Sequence, residues 1–172
     1  MSNIEGKFPL HQAAKAGEEN VVKELLVEGA DKDEKNNEGQ TPLIVAVSAN
    51  HLNVVQCLLE QGVEKEKADN NGGTALLYAA DGGDLEMVQY LVEQGLEKDE
   101  ANNLGSTALM VAAEQGHIRV VHYLSEQGAN KDKTTNNGGT GDGHLNITWP
   151  QSYRILFWSD SNDHNLIDTY SN

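Results

Sequence analysis

The chain has 172 residues, of which 38% are hydrophobic, 23% are charged and only 5% are aromatic. These proportions indicate a soluble protein whose core is built in thin layers from Ala, Val and Leu. The net charge of −15 argues against nucleic acid or an anionic membrane surface as a partner, because both are bound through clustered Lys and Arg. It favours a basic partner instead.

The first seven residues have no basic segment followed by an apolar run, so they predict neither a signal peptide nor a transit peptide. No apolar stretch approaches the roughly 18 residues that a membrane span requires. The single cysteine, Cys57, cannot form an internal disulfide. We therefore expect a soluble intracellular protein, most simply a cytoplasmic one, with no direct membrane insertion.

From residue 8 onward the sequence repeats itself in register, and internal periodicity of this kind indicates a repeat architecture. Each copy opens on a short apolar segment and continues with two small residues, a Gly or Asn, an apolar quartet and a second Gly. The predicted units are residues 8–40, 41–73, 74–106 and 107–139, preceded by an N-terminal lead of residues 1–7 and followed by a non-repeat tail of residues 140–172.

Each unit predicts two short helices. Thr41, Thr74 and Thr107 stand at the N-cap of the first helix, where a hydroxyl accepts a backbone hydrogen bond. Pro9 and Pro42 fit the first helical position. The Gly or Asn that follows ends this helix in the left-handed conformation. The quartet, such as Val54, Val55, Leu58 and Leu59, forms one apolar face of the second helix. Two helices cannot bury these faces alone, so the units must stack.

The segments Gly39-Gln40-Thr41-Pro42-Leu43 and Gly128-Ala129-Asn130, together with the small-residue pairs, resemble the ankyrin repeat. The resemblance covers residues 8–139 and implies an all-α ankyrin-repeat solenoid of stacked helix-turn-helix units with hairpin-like arms. The chain departs from the family pattern at the fourth position of the repeat, where histidine survives only as His11. The histidine hydrogen bonds of the helix starts should therefore be mostly absent.

The resemblance also implies that a protein partner binds at a concave face made of the arm tips and the exposed side of the first helices. The predicted tip residues are Lys35, Asn37, Glu38, Gln40, Ala68, Asn70, Asn71, Gly73, Ala101, Asn103, Leu104, Ser106, Thr134, Asn136 and Asn137. The predicted helix residues are Lys15, Ser48, Ala49, Asp81, Glu114 and Gln115. For each asparagine, a role in forming the turn remains an equal alternative to recognition.

The sequence has no catalytic or metal-binding pattern, which predicts a protein that is not an enzyme and needs no cofactor. His51 and His117 occupy a structural position between the helices, and Cys57 has no neighbouring base in the sequence. Acidic residues in the arms alternate with lysines, as at Asp31, Lys32 and Asp33, which predicts a solvated surface of cross-paired extended strands.

After Thr140 the repeat pattern stops and the tail is irregular and rich in aromatic residues. Trp149, Tyr153, Phe157 and Trp158 are of the types that dominate interface energetics. Three interpretations stay open: the tail caps the fourth unit, it docks into a partner, or it has no function.

Two functions follow from these patterns. The first is an interaction scaffold or adaptor that binds a basic protein through the concave face. The alternative is a structural or accessory subunit of a larger, multi-subunit protein assembly, anchored by the aromatic tail.

Overall fold

A computed structural model describes residues 8–131 together with residues 133 and 135. Within these residues the chain forms eight α-helices arranged as four helix-turn-helix units. The helices are α1 (Pro9–Ala16), α2 (Glu19–Val27), α3 (Pro42–Ser48), α4 (Leu52–Glu60), α5 (Ala75–Gly82), α6 (Leu85–Glu93), α7 (Ala108–Glu114) and α8 (Ile118–Glu126). The predicted all-α solenoid is confirmed.

The first helices begin where the sequence predicts. The hydroxyls of Thr41, Thr74 and Thr107 accept hydrogen bonds from the backbone N–H three residues later, which satisfies one of the open donors of each helix. The start of α1 differs, because Phe8 has a φ of 69° and its side chain makes no cap hydrogen bond. A phenyl ring has no acceptor to offer.

The core lies between successive units. The first helices pack in a row, α1 against α3, α3 against α5 and α5 against α7, and each also packs on the second helix of its own unit. One leucine of every first helix is 1% exposed: Leu10, Leu43, Leu76 and Leu109. The adjacent alanines, such as Ala79 and Ala80, are also buried, and their small size lets neighbouring helices approach closely.

Hydrogen bonds from histidine side chains to backbone carbonyls add to this packing. The Nε2 atoms of His51 and His117 contact the carbonyl oxygens of Lys15 and Asp81 at 3.0 and 2.8 Å. Since a carbonyl can only accept, Nε2 donates in both cases. The structural role predicted for these two histidines is confirmed. His11 Nε2 likewise donates to Gln40 at 2.9 Å, while Ile44, Leu77 and Met110 fill the same position with buried apolar side chains.

The arms correct one prediction. They are turns rather than paired strands, with a single isolated antiparallel bridge, Ala101 to Thr107, among the described residues. Three acidic residues of the arms accept hydrogen bonds from the next unit's backbone: Asp33 from Glu64 at 2.8 Å, Glu66 from Glu97 at 3.0 Å, and Asp99 from Asn130 at 2.8 Å. Glu64 forms an ion pair with Lys67 of its own arm at 3.5 Å. The acidic residues of the alternating pattern therefore hold neighbouring units together through hydrogen bonds to the backbone.

Candidate functional site: the helix–tip face

The predicted recognition residues lie on the exposed side of α1, α3, α5 and α7 and on the neighbouring arm tips, residues 35–40, 68–73 and 101–106. We call this surface the helix–tip face. The stack places equivalent positions of successive units side by side, so each repeat position forms a column along the face. Whether a column serves folding or recognition depends on what its side chains already bind.

One column shapes the tips. Asn36 Oδ1 accepts from the backbone N–H groups of Glu38 and Gln40 at 3.0 and 2.9 Å. Asp69 and Asn102 do the same in the next two tips. The sequence analysis missed Asp69, which holds the equivalent position at the second tip.

The next column joins one tip to another. Asn70 Nδ2 donates to the Asn37 carbonyl at 3.3 Å, and Asn103 Nδ2 donates to the Asn70 carbonyl at 3.1 Å. Backbone bonds from Asn70 to Glu38 and from Asn103 to Asn71 run beside them. These asparagines are exposed, yet their amides already hold the tips in line.

The column after it is the outermost. Glu38, Asn71 and Leu104 are exposed, and Leu104 keeps 56% of its surface open to solvent. An acidic, an amide and an apolar side chain thus project in succession from three similar turns. This variation on a constant backbone is what a recognition surface needs.

Other predicted tip residues are hydrogen-bonded or partly buried. Lys35 is exposed but donates from Nζ to the Ala68 carbonyl at 2.6 Å. Ala68, Ala101 and Ser106 are partly buried. Gln40 is also partly buried, and both ends of its amide are used: Asn36 Nδ2 donates to Oε1, and Nε2 donates to the Tyr78 hydroxyl, each at 3.2 Å.

On the helices, the predicted residues Lys15, Ser48, Asp81 and Glu114 form one exposed column. Its charge runs from positive on α1 through neutral on α3 to negative on α5 and α7. Gln115 Nε2 donates to Asp81 Oδ1 at 2.7 Å and links the last two units, whereas Ala49 is half-buried. The acidic end of the column therefore lies in the last two units.

A second helix column was missed by the sequence analysis. Val45, Tyr78 and Val111 lie three residues before the exposed column, and residues three apart share a helix face. The Tyr78 hydroxyl donates to Asp69 Oδ2 at 2.6 Å. Burial, and then this hydrogen bond, raise the pKa of Tyr78. The helical spacing was available in the sequence, but the bond to Asp69 was not, because it crosses between an arm and a helix.

Two grooves open on this face. The larger, of about 470 Å³, lies beside α1 and α3 and is lined by His11, Lys15, Glu38, Val45 and Ser48 among others. The smaller, of about 170 Å³, lies beside α5 and α7 and is lined by Asp69, Leu77, Tyr78, Asp81 and Val111 among others. We call the smaller one the Tyr78 pocket. The two differ in charge, because Lys15 and Glu38 both line the first, whereas two aspartates and, among the described residues, no basic one line the second.

The described part of the chain shows no group of His, Cys, Asp and Glu side chains that could hold a metal ion. Cys57 is 3% exposed, and burial raises the pKa of its thiol, which leaves the thiol protonated and unreactive. No helix in these residues has both the length and the apolar composition to cross a membrane.

Several predicted residues fall outside the described part of the chain. Thr134, Asn136 and Asn137 of the last tip are among them, as are the tail residues Trp149, Tyr153, Phe157 and Trp158. The predictions made for these positions stay predictions.

The comparisons with known proteins agree with this architecture. The family model for ankyrin repeats (3 copies) matches residues 1–69 and 61–135. A search of the curated proteins gives no match to this chain. The family match extends over most of the sequence and includes every helix described above. Members of this family are generally protein–protein interaction modules and typically non-enzymatic. The chain belongs to the ankyrin-repeat family.

Proposed function

We propose that this protein is a non-catalytic interaction scaffold that binds a protein with a basic surface through the helix–tip face. The observation that carries the proposal is the contrast between columns. The buried leucine column repeats one residue in all four units, Leu10, Leu43, Leu76 and Leu109. The exposed column of Lys15, Ser48, Asp81 and Glu114 changes from unit to unit.

Charge supports a basic partner. The chain carries 27 acidic and 12 basic residues. On the helix–tip face, Asp81 lines the smaller groove, and Glu114 is the exposed residue at the equivalent position of the next unit. Exposed acids steer a cationic partner and select its orientation, and their contribution weakens as salt screens it.

A matched pair of double variants tests the proposal. Asp81→Asn with Glu114→Gln removes two negative charges from the helix–tip face. Glu60→Gln with Glu93→Gln removes two charges from equivalent exposed positions on α4 and α6. We expect the first variant to lose most of the partner that the wild-type chain captures from native extract at low salt, and the second to retain it. Equal loss in both variants would mean that capture depends on the net charge of the chain and not on the helix–tip face, which would contradict the proposal.

The alternative function, a subunit anchored in an assembly by its tail, is supported by sequence alone through Trp149, Tyr153, Phe157 and Trp158. Deleting residues 141–172 separates the two functions. The scaffold function predicts that the shortened chain keeps its partner, whereas the anchor function predicts that the partner is lost.

A further inference from the structure

The Tyr78 pocket differs from the rest of the helix–tip face in combining an aromatic ring, apolar walls and carboxylates. Leu77 of α5 and Val111 of α7 supply apolar surface, and the Tyr78 ring lies beside them, partly buried. Asp69 and Asp81 bring two carboxylates to the same pocket. None of the described residues that line it is basic.

The hydrogen bonds within the pocket determine what a ligand can use. The Tyr78 hydroxyl donates to Asp69 at 2.6 Å and accepts from Gln40 at 3.2 Å, so its hydrogen-bonding capacity is occupied. Asp69 also receives the backbone N–H groups of Asn71 and Gly73. These bonds fix the ring in place and engage its hydroxyl, so the ring itself is the part of Tyr78 that a ligand would contact.

Asp81 stands in a different position. It is exposed, and of its two oxygens Oδ1 accepts from Gln115 at 2.7 Å. Its second oxygen is therefore the carboxylate acceptor best placed to meet a ligand in the pocket. The Asp81 main-chain carbonyl is fixed by His117 Nε2 at 2.8 Å, which holds this end of α5 against the next unit.

We propose that the Tyr78 pocket receives an arginine side chain of the partner protein, a proposal that rests on the scaffold function above and deepens it. A guanidinium group is planar and weakly hydrated, stacks on aromatic faces and donates hydrogen bonds to carboxylates, whereas an ammonium group is compact and strongly hydrated. The apolar walls contact the arginine methylenes, the Tyr78 ring contacts the guanidinium plane, and Asp81 accepts its hydrogen bond.

The direct test is a titration of the full-length protein, followed by two-dimensional NMR, with two capped tripeptides, acetyl-Gly-Arg-Gly-amide and acetyl-Gly-Lys-Gly-amide. We expect the arginine peptide to shift the signals of Leu77, Tyr78 and Val111, with the lysine peptide binding several-fold more weakly. Equal affinity for the two peptides, or shifts spread evenly over the acidic surface, would overturn the proposal.

Variants of equal charge assign the effect to the pocket. Asp81→Asn should lower the affinity for the arginine peptide about tenfold, a loss typical of a central interface contact. Glu93→Gln removes the same charge from an exposed position on α6, outside the helix–tip face, and should change the affinity less than about twofold, as expected of an exposed charge. Equal losses in the two variants would refute the pocket.

The ring is tested separately. Tyr78→Phe keeps the ring but removes the bonds that fix it, so it should bind the arginine peptide more weakly than the wild type and more tightly than Tyr78→Leu, which has no ring. Both variants are first shown to be folded by their NMR spectra. If partner capture still depends on Asp81 and Glu114 together while no arginine signal appears, the pocket assignment fails and the scaffold function stands. If partner capture is insensitive to both, the scaffold function fails.

Discussion

The α1–α2 and α5–α6 units have the same backbone turn between their helices but differ at their helix starts and on their exposed faces. Gly17 and Gly83 both adopt the left-handed conformation, with φ of 74° and 71°. In both, a histidine of the following unit lies over the glycine and donates to a carbonyl near it. The turns at Gly17 and Gly83 are therefore constrained by the same contact, a histidine from the following unit.

The helix starts and exposed positions are less constrained. Thr74 caps α5, whereas Phe8 leaves α1 uncapped. Next to Phe8, the Nδ1 atom of His11 is buried without a hydrogen-bond partner. On the exposed side, Gln12 and Lys15 of α1 correspond to Tyr78 and Asp81 of α5. Positions that contact the next unit are alike, and positions facing outward are where the units acquire different binding properties.

The largest expected effect comes from a substitution that disrupts the turn common to these two units. A Cβ at Gly17 would lie 2.7 Å from His51 Nδ1, and a Cβ at Gly83 would lie closer still to His117. Gly83→Ala should therefore lower the free energy of unfolding by about 2–3 kcal/mol, through the left-handed backbone and the displaced histidine. Denaturant melts measure it.

Gly82 provides the control for that variant, because nothing lies within 4 Å of a Cβ built there and its φ is ordinary. Gly82→Ala should leave stability unchanged or raise it by up to about 1 kcal/mol, since alanine favours a helix over glycine. Equal destabilisation by the two substitutions would show that the histidine contact is unimportant.

The next effect concerns the tyrosine that α1 lacks. Tyr78→Phe leaves the carboxylate of Asp69 and the amide of Gln40 without their shared hydroxyl, and should cost about 1–2 kcal/mol of unfolding free energy at neutral pH. Burial raises the pKa of Tyr78. The folded pKa thus exceeds the unfolded value of about 10, so this contribution is lost as the pH rises above 10. The stabilities of wild type and variant should converge there; a constant difference would contradict the linkage.

A smaller effect is expected from substitutions at the N-cap residues of α1 and α5. Thr74→Ala removes the hydroxyl that accepts from Leu77 and should destabilise by about 1 kcal/mol. Phe8→Thr offers such a hydroxyl to α1 and, being β-branched, favours the extended backbone of the other cap threonines, so it should stabilise by about 0.5–1 kcal/mol. Thermal melts of the two variants should move in opposite directions. A loss of stability in both would mean that the contact between the Phe8 and His11 rings matters more than the cap.

Local patterns in the sequence predicted most of the fold. Cap threonines, the left-handed Asn50 with φ of 58° and the helix periodicity each depend on residues close in sequence, and all three are confirmed. Asn50 replaces glycine in that turn because the next unit presents Asp84 rather than histidine, and Asp84 accepts from its amide at 2.7 Å. That reason could not be read from one unit alone.

The candidate site was less predictable, because its contacts join different units. The bonds from Asp33 to Glu64 and from Tyr78 to Asp69 depend on how arms and helices meet in space. The sequence therefore indicated charge alternation in the arms but misread it as strand pairing. It identified Asp81 and missed Tyr78, because a tyrosine on an amphipathic helix gives no local sign of the pocket it lines.

The measurement that tests the scaffold function most directly is zero-length carbodiimide crosslinking of the full-length protein to its partner in native extract, read by mass spectrometry. This chemistry joins carboxylates to amines, so it reports which acids of this chain meet lysines of the partner. We predict crosslinks from Glu38 and Glu114 on the helix–tip face. Crosslinks chiefly from Glu60 and Glu93 on the second helices, or from residues 140–172, would contradict the proposed function.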